Sequence, residues 1–406
     1  MFLFRKKNRY NKYFISIGAG ENQVSLIKEA KKLSFRVIGV DRNMNAAGLG
    51  LCDLRIQESI DNHESILKII SELMLDGSIS GALTKSYGTA VRTAAYLNMC
   101  FQRPHIPYQS AEDFLNKSLT KNIFTTAGIK TPRILNLTQK NIDNHNFKRN
   151  PVVIKPVDGH AKEGVRLVND SDEYRHLITS MNGSKQNLII EEAVTGDEII
   201  AMGIIADRKY HLIEVTDKIT SSPPYFLDIL HSAPSVYCRL KEQITAAGNK
   251  IAETFRIENS PLIMEMIVST SKEIYLIEAV PEFGGEYLTD ILIPVKTGYN
   301  PVRETIKAMA GMKFTPPPDP LNSKGGFAVR YIPAAPGIAR IIPVESALKM
   351  KGVVFAKQLI PPGTEMSIPS TNHHRAAVIA AKGRTAEEAS SITASAEEAL
   401  MPVIGN

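Results

Sequence analysis

The chain has 406 residues, 43% hydrophobic and 22% charged, with 48 Lys and Arg against 42 Asp and Glu for a net charge of +6. At roughly 100–200 residues per domain this predicts two to four domains, with a core large enough to need no disulfide or metal staple. The charge is too small and dispersed to argue for nucleic acid, although it suits an anionic substrate. Three widely spaced cysteines, Cys52, Cys100 and Cys238, exclude a disulfide framework and a cysteine-rich zinc site and fit a reducing compartment. No apolar run approaches the roughly 20 residues of a membrane helix. No apolar h-region follows the basic stretch 1–13, so the expectation is a cytoplasmic protein with neither membrane nor nucleic-acid partners.

Residues 13–17 predict a buried strand. The turn Gly18-Ala19-Gly20-Glu21-Asn22-Gln23 then leads into a helical stretch to about Lys32, and residues 37–41 form a second strand ending in Asp41, 23 residues after Gly18. This is one βαβ unit. A helix over 63–75 with Asn62 as N-cap and a strand near 81–84 complete an open parallel sheet over the first 110 residues. A helical stretch within 111–127 stops at Gly128, ahead of Pro132. Short strands follow at 151–156 and 188–192, and strands dominate 198–214. Residues 262–268 and 274–280 flank the turn Ser269-Thr270-Ser271-Lys272-Glu273 as a hairpin. The proline-rich stretch 315–320 reads as a stiff linker. Beyond it, 325–381 is mostly strand and 385–401 is a helix rich in Ala and Glu.

Four constellations carry chemistry. The Gly18/Gly20 turn permits close backbone approach at a helix N-terminus, but Gln23 stands where a dinucleotide fingerprint has its third glycine, so the turn reads better as a small-substrate site or a plain tight turn. Lys117 lies in the helical stretch that ends at Gly128, and Lys155 closes an apolar β-branched run before a turn containing Gly159, His160, Lys162 and Gly164. A lysine at a strand end beside such a turn offers point charge and backbone N–H groups to polyphosphate. Glu191-Glu192-Ala193-Val194 leaves a strand, turns at Gly196 and presents Glu198, a connector able to read a base edge and ribose hydroxyls. Folding the hairpin about Ser271 and Lys272 sets Glu265 opposite Glu278, both among apolar residues. Opposed carboxylates repel, and a divalent cation between them relieves the repulsion, with water and phosphate oxygens completing the ligand set of Mg²⁺. One acid paired with Lys or Arg and the other facing solvent is the alternative.

Taken in order, these parts resemble the ATP-grasp superfamily, in its carboxylate–amine ligase branch near carbamoyl phosphate synthetase, biotin carboxylase and the ATP-dependent amino-acid ligases. The resemblance implies an α/β (α+β) fold over nearly the whole chain: a Rossmann-like pre-ATP-grasp domain at 1–110 with an open parallel sheet, an ATP-grasp domain at 111–314 with a small subdomain at about 125–195, and a mostly β, lid-supporting domain at 315–406. It implies that ATP phosphorylates a carboxylate and that an amine displaces phosphate to give an amide or peptide bond. Lys117 and Lys155 would hold phosphates, and His160 and Lys162 would close over the last of them. Glu191, Glu192, Ala193 and Val194 would contact adenine and Glu198 the ribose. Glu265 and Glu278 would bind Mg²⁺, with Mn²⁺ as the alternative. Gly18, Gly20 and Asn22 would form a substrate turn of the N-terminal domain. Stretches containing Lys218, His231, Gly284 and Gly285 resemble the acceptor pocket of the amino-acid ligases. The implied partners are a small-molecule carboxylate and amine, with room for a homodimer.

The sequence departs from the family after Glu278. The family continues with Asn and Arg, whereas this chain continues Ala279-Val280-Pro281-Glu282. Lys218, Arg330 or Arg340 would have to supply the missing cation, and Glu282 would select a cationic amine. The alternatives are a nucleotide-precursor enzyme resembling phosphoribosylamine–glycine ligase and a catalytically weak ATP-binding module.

Overall fold

The computed structural model describes residues 12–404 except 74, 138–141, 159–161, 183–186, 224, 285–286 and 321–324, with backbone alone for 180–182 and 401–404. Its N-terminal sheet has four parallel strands in the order Leu54–Ile56, Arg36–Val40, Lys12–Ile17, Ser78–Leu83. The strands are apolar on both faces because both faces are covered, one packing Phe14 and Val37 and the other Ile15, Ile17 and Ile38. The first of these clusters also takes in Phe283, Val302 and Ile306, so the N-terminal sheet docks on the helix Pro301–Met309 and on the loop after the strand Ile274–Val280.

A small antiparallel sheet runs Arg166–Val168, Val152–Pro156, Leu188–Glu192. Val152, Ile154 and Val168 face Phe147 and Tyr174. The period of two turns Val153, Lys155 and Glu191 to the other face. A larger sheet has eight antiparallel strands in the order Ile274–Val280, Ser260–Ser269, Gly196–Ala206, Lys209–Thr220, Asp228–Ala233, Gly326–Pro333, Arg375–Gly383, Val353–Gln358. The strands from either side of the proline-rich stretch therefore join in one sheet. One face packs Ile199, Met264 and Met266 on the helix Lys241–Thr254, and the other packs Ile200, Met202 and Ile263 on Leu288, Leu292 and Ile293. No helix among the described residues is long and apolar enough to cross a membrane.

Local details differ from the sequence expectation. The stretch 111–127 is two helices, Tyr108–Asp113 and Lys117–Thr126, because extended Asn116 accepts from the Leu119 N–H at 3.0 Å and starts a second helix. Lys117 therefore opens a helix. Asn62 does not cap the helix His63–Glu72 through its side chain, which donates to Glu58 instead. The C-terminal strands are interrupted by a helix, Val344–Leu348, and the last helix runs Ala386–Ile404.

Candidate active site

A cleft of about 590 Å³ lies between the open face of the small sheet and the edge of the large one. The small sheet contributes Lys155 and Glu191, the helix at 117 contributes Lys117, and the large sheet contributes Glu198, Lys218, Glu265 and Glu278. Val194 and Gly196 lie in the connector between the sheets. Gly196 is needed there, since a Cβ would stand 2.2 Å from the Val268 carbonyl oxygen. Glu192 and Ala193 donate their N–H groups to the Arg133 and Pro151 carbonyls, and the Glu192 carboxylate holds Arg133 at 2.7 Å.

Glu265 and Glu278 are direct partners across the hairpin. The inner pairs, Val268 with Ile274 and Met266 with Leu276, follow a register one residue off that assumed from the sequence. A bulge at Ile277 then restores the opposition of the two acids. Each acid faces ammonium groups. Lys117 Nζ stands 3.1 Å from Glu278 Oε1, and Glu265 Oε2 has Lys218 at 3.3 Å and Lys162 at 3.6 Å. Lys162 also lies 3.8 Å from Glu198. Burial and the neighbouring Lys218 work against its charge, but Glu265, Glu198 and Asp228 outweigh them and hold its pKa above the ordinary value. The two opposed, oxygen-only donors open onto the cleft and suit a hard cation. Among the described residues no group of three or more His, Cys, Asp or Glu forms a metal cage. A cation held here would need further ligands from outside this pair, and Mg²⁺, which keeps several waters and binds through one or two carboxylates, would fit such a sparse donor set.

Glu191 does more than line the cleft. Its Oε2 lies 2.9 Å from Lys155 Nζ and its Oε1 lies 2.9 Å from Lys121 Nζ, with Lys121 and Glu191 both almost fully buried. Burial and the Lys155 charge push the Lys121 ammonium down to about 8 against the opposing pull of Glu191 and Glu278.

Lys218 is the centre of a second network, with Asp228 at 2.9 Å and Glu198 at 3.4 Å as well as Glu265. Asp228 in turn holds Arg375 at 3.3 Å and accepts from Asn372 Nδ2 at 2.6 Å. Asn372 lines both the cleft and an adjoining chamber of about 180 Å³, walled by Asn22, Lys85, Gly284, Asp290, Tyr331 and Arg375. Lys85 and Asp290 form a short ion pair there, and the Arg375 guanidinium lies 3.9 Å from the Tyr331 ring centroid. Sequence reasoning missed Lys121, Asp228, Asn372, Arg375, Lys85 and Asp290. Only the Asn372-His373-His374-Arg375 run, polar residues just ahead of the apolar strand at 376–381, offered any signal.

Several expected site residues lie elsewhere. His231 is fully buried, edge-on to Tyr331 and 3.5 Å from the Thr216 hydroxyl, and lines neither cavity. Arg330 is on the opposite strand face from Tyr331 and reaches Glu397 at 3.1 Å and the Thr393 hydroxyl at 3.2 Å on the last helix, away from the cleft. The Arg340 carbonyl accepts from Gln358, and Arg340 lines neither cavity. Glu282 faces Tyr87, whose phenol is pushed up by burial and then by this carboxylate. In the N-terminal turn Gly18 has a φ of +88°. Asn22 reaches the chamber, but the Gln23 side chain fills the space beside Gly18, and Asp41 accepts from the Ala19 N–H at 2.9 Å. Gly20 opens the short 3-10 turn Glu21–Gln23. His160 and Gly285 lie outside the described residues.

Two sheets clasping a lysine-lined cleft, with paired acids on the strand edge, define the class. Residues 148–290 match the ATP-grasp domain and residues 330–404 match the L-amino acid ligase C-terminal domain 2. In these two stretches the chain is similar to an ATP-grasp domain followed by an L-amino acid ligase C-terminal domain 2. It is similar to the L-amino acid ligase of Bacillus licheniformis, with a TM-score of 0.80 at 17% identity over 96% of this chain and 98% of that one. It is also similar to the phosphoribosylglycinamide synthetase of Anaerococcus prevotii, with a TM-score of 0.72 at 19% identity over 97% and 98%. In sequence it is 27% identical over 105 residues to a D-alanine–D-alanine ligase of Wolbachia pipientis, which covers 26% of this chain and 33% of that protein. It is 28% identical over 195 residues to D-alanine–D-alanine ligase A of Bacillus cereus, over 45% and 56%. The chain thus spans between a third and just over half of these curated relatives.

Proposed function

We propose that the chain is an ATP-dependent carbon–nitrogen ligase that activates a carboxylate as an acyl phosphate and joins it to an amine, with an amino acid or related metabolite as substrate. The observation that carries this reading is a pair of cavities that share Asn372 in their walls: a lysine-lined cleft of about 590 Å³ and a polar chamber of about 180 Å³. The first suits a nucleoside triphosphate, the second a small charged molecule. Lys117, Lys155 and Lys162 gather the phosphates. Glu265 and Glu278 would hold Mg²⁺ or Mn²⁺, which neutralises charge on the phosphate oxygens when bound. The substrate carboxylate oxygen attacks the terminal phosphorus and ADP leaves. The amine then attacks the acyl carbon, its proton is lost and inorganic phosphate departs. Arg375, placed by Asp228 and Tyr331, supplies the cation that the family keeps after the second metal glutamate and that Val280 and Glu282 cannot provide. It steadies the acyl phosphate electrostatically. Bringing the domains together around the reacting groups keeps water from that intermediate. A cytoplasmic setting and small-molecule partners go with this reading.

The test is ADP release measured across pairs of carboxylic acids and amines, with ATP and Mg²⁺. Release that depends on both an acid and an amine supports the ligase. A requirement for a phosphoribosylamine would make it a nucleotide-precursor enzyme. Nucleotide binding without ADP release for any pair would leave a binding module and sink the proposal.

A further inference from the structure

We propose that Lys121 is a positioning residue that keeps the Glu191 charge balanced when Lys155 turns from it to an anion in the cleft. The inference rests on the nucleotide reading above. Val153 pairs with Glu191 across the small sheet, and Lys155, two residues on, shares that face. Lys155 and Glu191 are therefore diagonal neighbours. Lys121 comes to the same carboxylate from the helix Lys117–Thr126, and each lysine takes one oxygen at 2.9 Å.

Two ammonium groups share one carboxylate in a dry place, and Glu278, the further acid that acts on Lys121, is itself held by Lys117 at 3.1 Å, so a surplus positive charge remains. Removing an ammonium from water is costly, and a single partner already neutralises a buried acid. A purely structural contact would therefore stop at one lysine. The two lysines also differ in reach. Lys155 lines the cleft, whereas Lys121 does not and instead borders a separate small void with Phe124 and Ile277. Lys155 is thus the one able to transfer its ammonium to a phosphate, and Lys121 the one that stays. Without Lys121, that transfer would strand Glu191 as an unpaired buried charge, and the cost would be taken from triphosphate binding. Adenosine carries no phosphate, draws nothing from Lys155 and feels no such cost.

The probes are adenosine and a non-hydrolysable ATP analogue, each titrated calorimetrically with Mg²⁺ into the full chain. Lys121→Met should weaken the triphosphate about tenfold, equivalent to about 1.4 kcal/mol, and leave adenosine within about twofold. Lys121→Arg, which keeps the charge, should recover most of the loss. In turnover, Lys121→Met should raise the KM for ATP with kcat little changed. Adding Glu191→Gln to Lys121→Met removes the charge that needs balancing and should restore the ratio of triphosphate to adenosine affinity relative to the single variant, a ratio in which any change at the adenine cancels. Should the Met variant fail to fold, Lys121→Arg and the double variant carry the same comparison. Equal losses for both ligands, no loss for the triphosphate, or no recovery in the double variant overturns the proposal. A wild-type chain that binds neither probe overturns the ATP reading instead.

Discussion

Among the described residues, Glu214 and Glu191 are buried carboxylates held by buried lysines, and the two systems differ by one ammonium. On the packed face of the large sheet Glu214 meets one ammonium among the described residues, that of Lys296, in a short contact, both nearly inaccessible to solvent. Burial raises the Glu214 pKa even though Lys296 and the Val215 N–H pull it down. At the cleft, Glu191 meets both Lys121 and Lys155. The first system is closed and balanced and ties the helix Ile293–Thr297 to the strand Lys209–Thr220. The second carries surplus charge and opens on one side. Where the fold needs only cohesion it buries equal and opposite charge; where a buried site keeps one charge too many, one of its lysines, Lys155, lines the cleft.

The comparison predicts opposite phenotypes. Lys296→Met leaves Glu214 buried and alone and should cost about 3–5 kcal/mol of stability, read by chemical denaturation, while the folded fraction keeps the wild-type KM for ATP. A changed KM with intact stability would reverse the roles assigned to the two systems.

Next in size is Glu278→Gln. It removes one of the two opposed carboxylates and the partner of Lys117. Turnover should fall by about 10²–10³, the range for losing one electrostatic contact to a transition state, with the melting temperature unchanged within about 2 °C. Unaltered turnover would remove the hairpin from the metal assignment.

Arg375→Lys keeps a charge but loses the fork that reaches Asp228 and stacks on Tyr331. We expect the KM of the acid or amine substrate to rise about tenfold, with ATP affinity within about twofold. Equal losses for ATP and the second substrate would mean that the chamber and the cleft are one site.

What was legible in the sequence follows the range of the interactions. Lys155 announced itself because a charged residue closing an apolar β-branched run must be held by something. Glu265 and Glu278 were legible from a local hairpin count, although the count succeeded only because the bulge at Ile277 offsets the shifted inner register. Lys121 and Arg375 were not legible, since nothing local says that a helix at 117–126 passes under Glu191 or that a strand at 375 closes on Asp228. His231 and Arg330 went wrong through facing and depth. His231 lies beneath Tyr331, and strand alternation turns Arg330 away from that tyrosine toward Glu397.

The smallest effect is expected at Glu282, and it tests where the chamber ends. The residue follows the strand Ile274–Val280 and carries a charge opposite to the one the resemblance implies there, which is the ground for expecting it to select a cationic amine. Its neighbours argue for a weaker role. Phe283 anchors the loop in the core of the N-terminal domain, Gly284 alone of the described residues between 281 and 286 lines the chamber, and the Glu282 carboxylate acts on Tyr87. A partly exposed carboxylate acting across solvent loses most of its field to screening. Glu282→Arg should therefore shift the preference between cationic and neutral amines by no more than about twofold, with ATP affinity unchanged. Collapse of the preference for cationic amines, measured as the ratio of kcat/KM for a matched charged and neutral pair, would bring Glu282 into direct contact with the amine and extend the chamber past Gly284 to the metal strand.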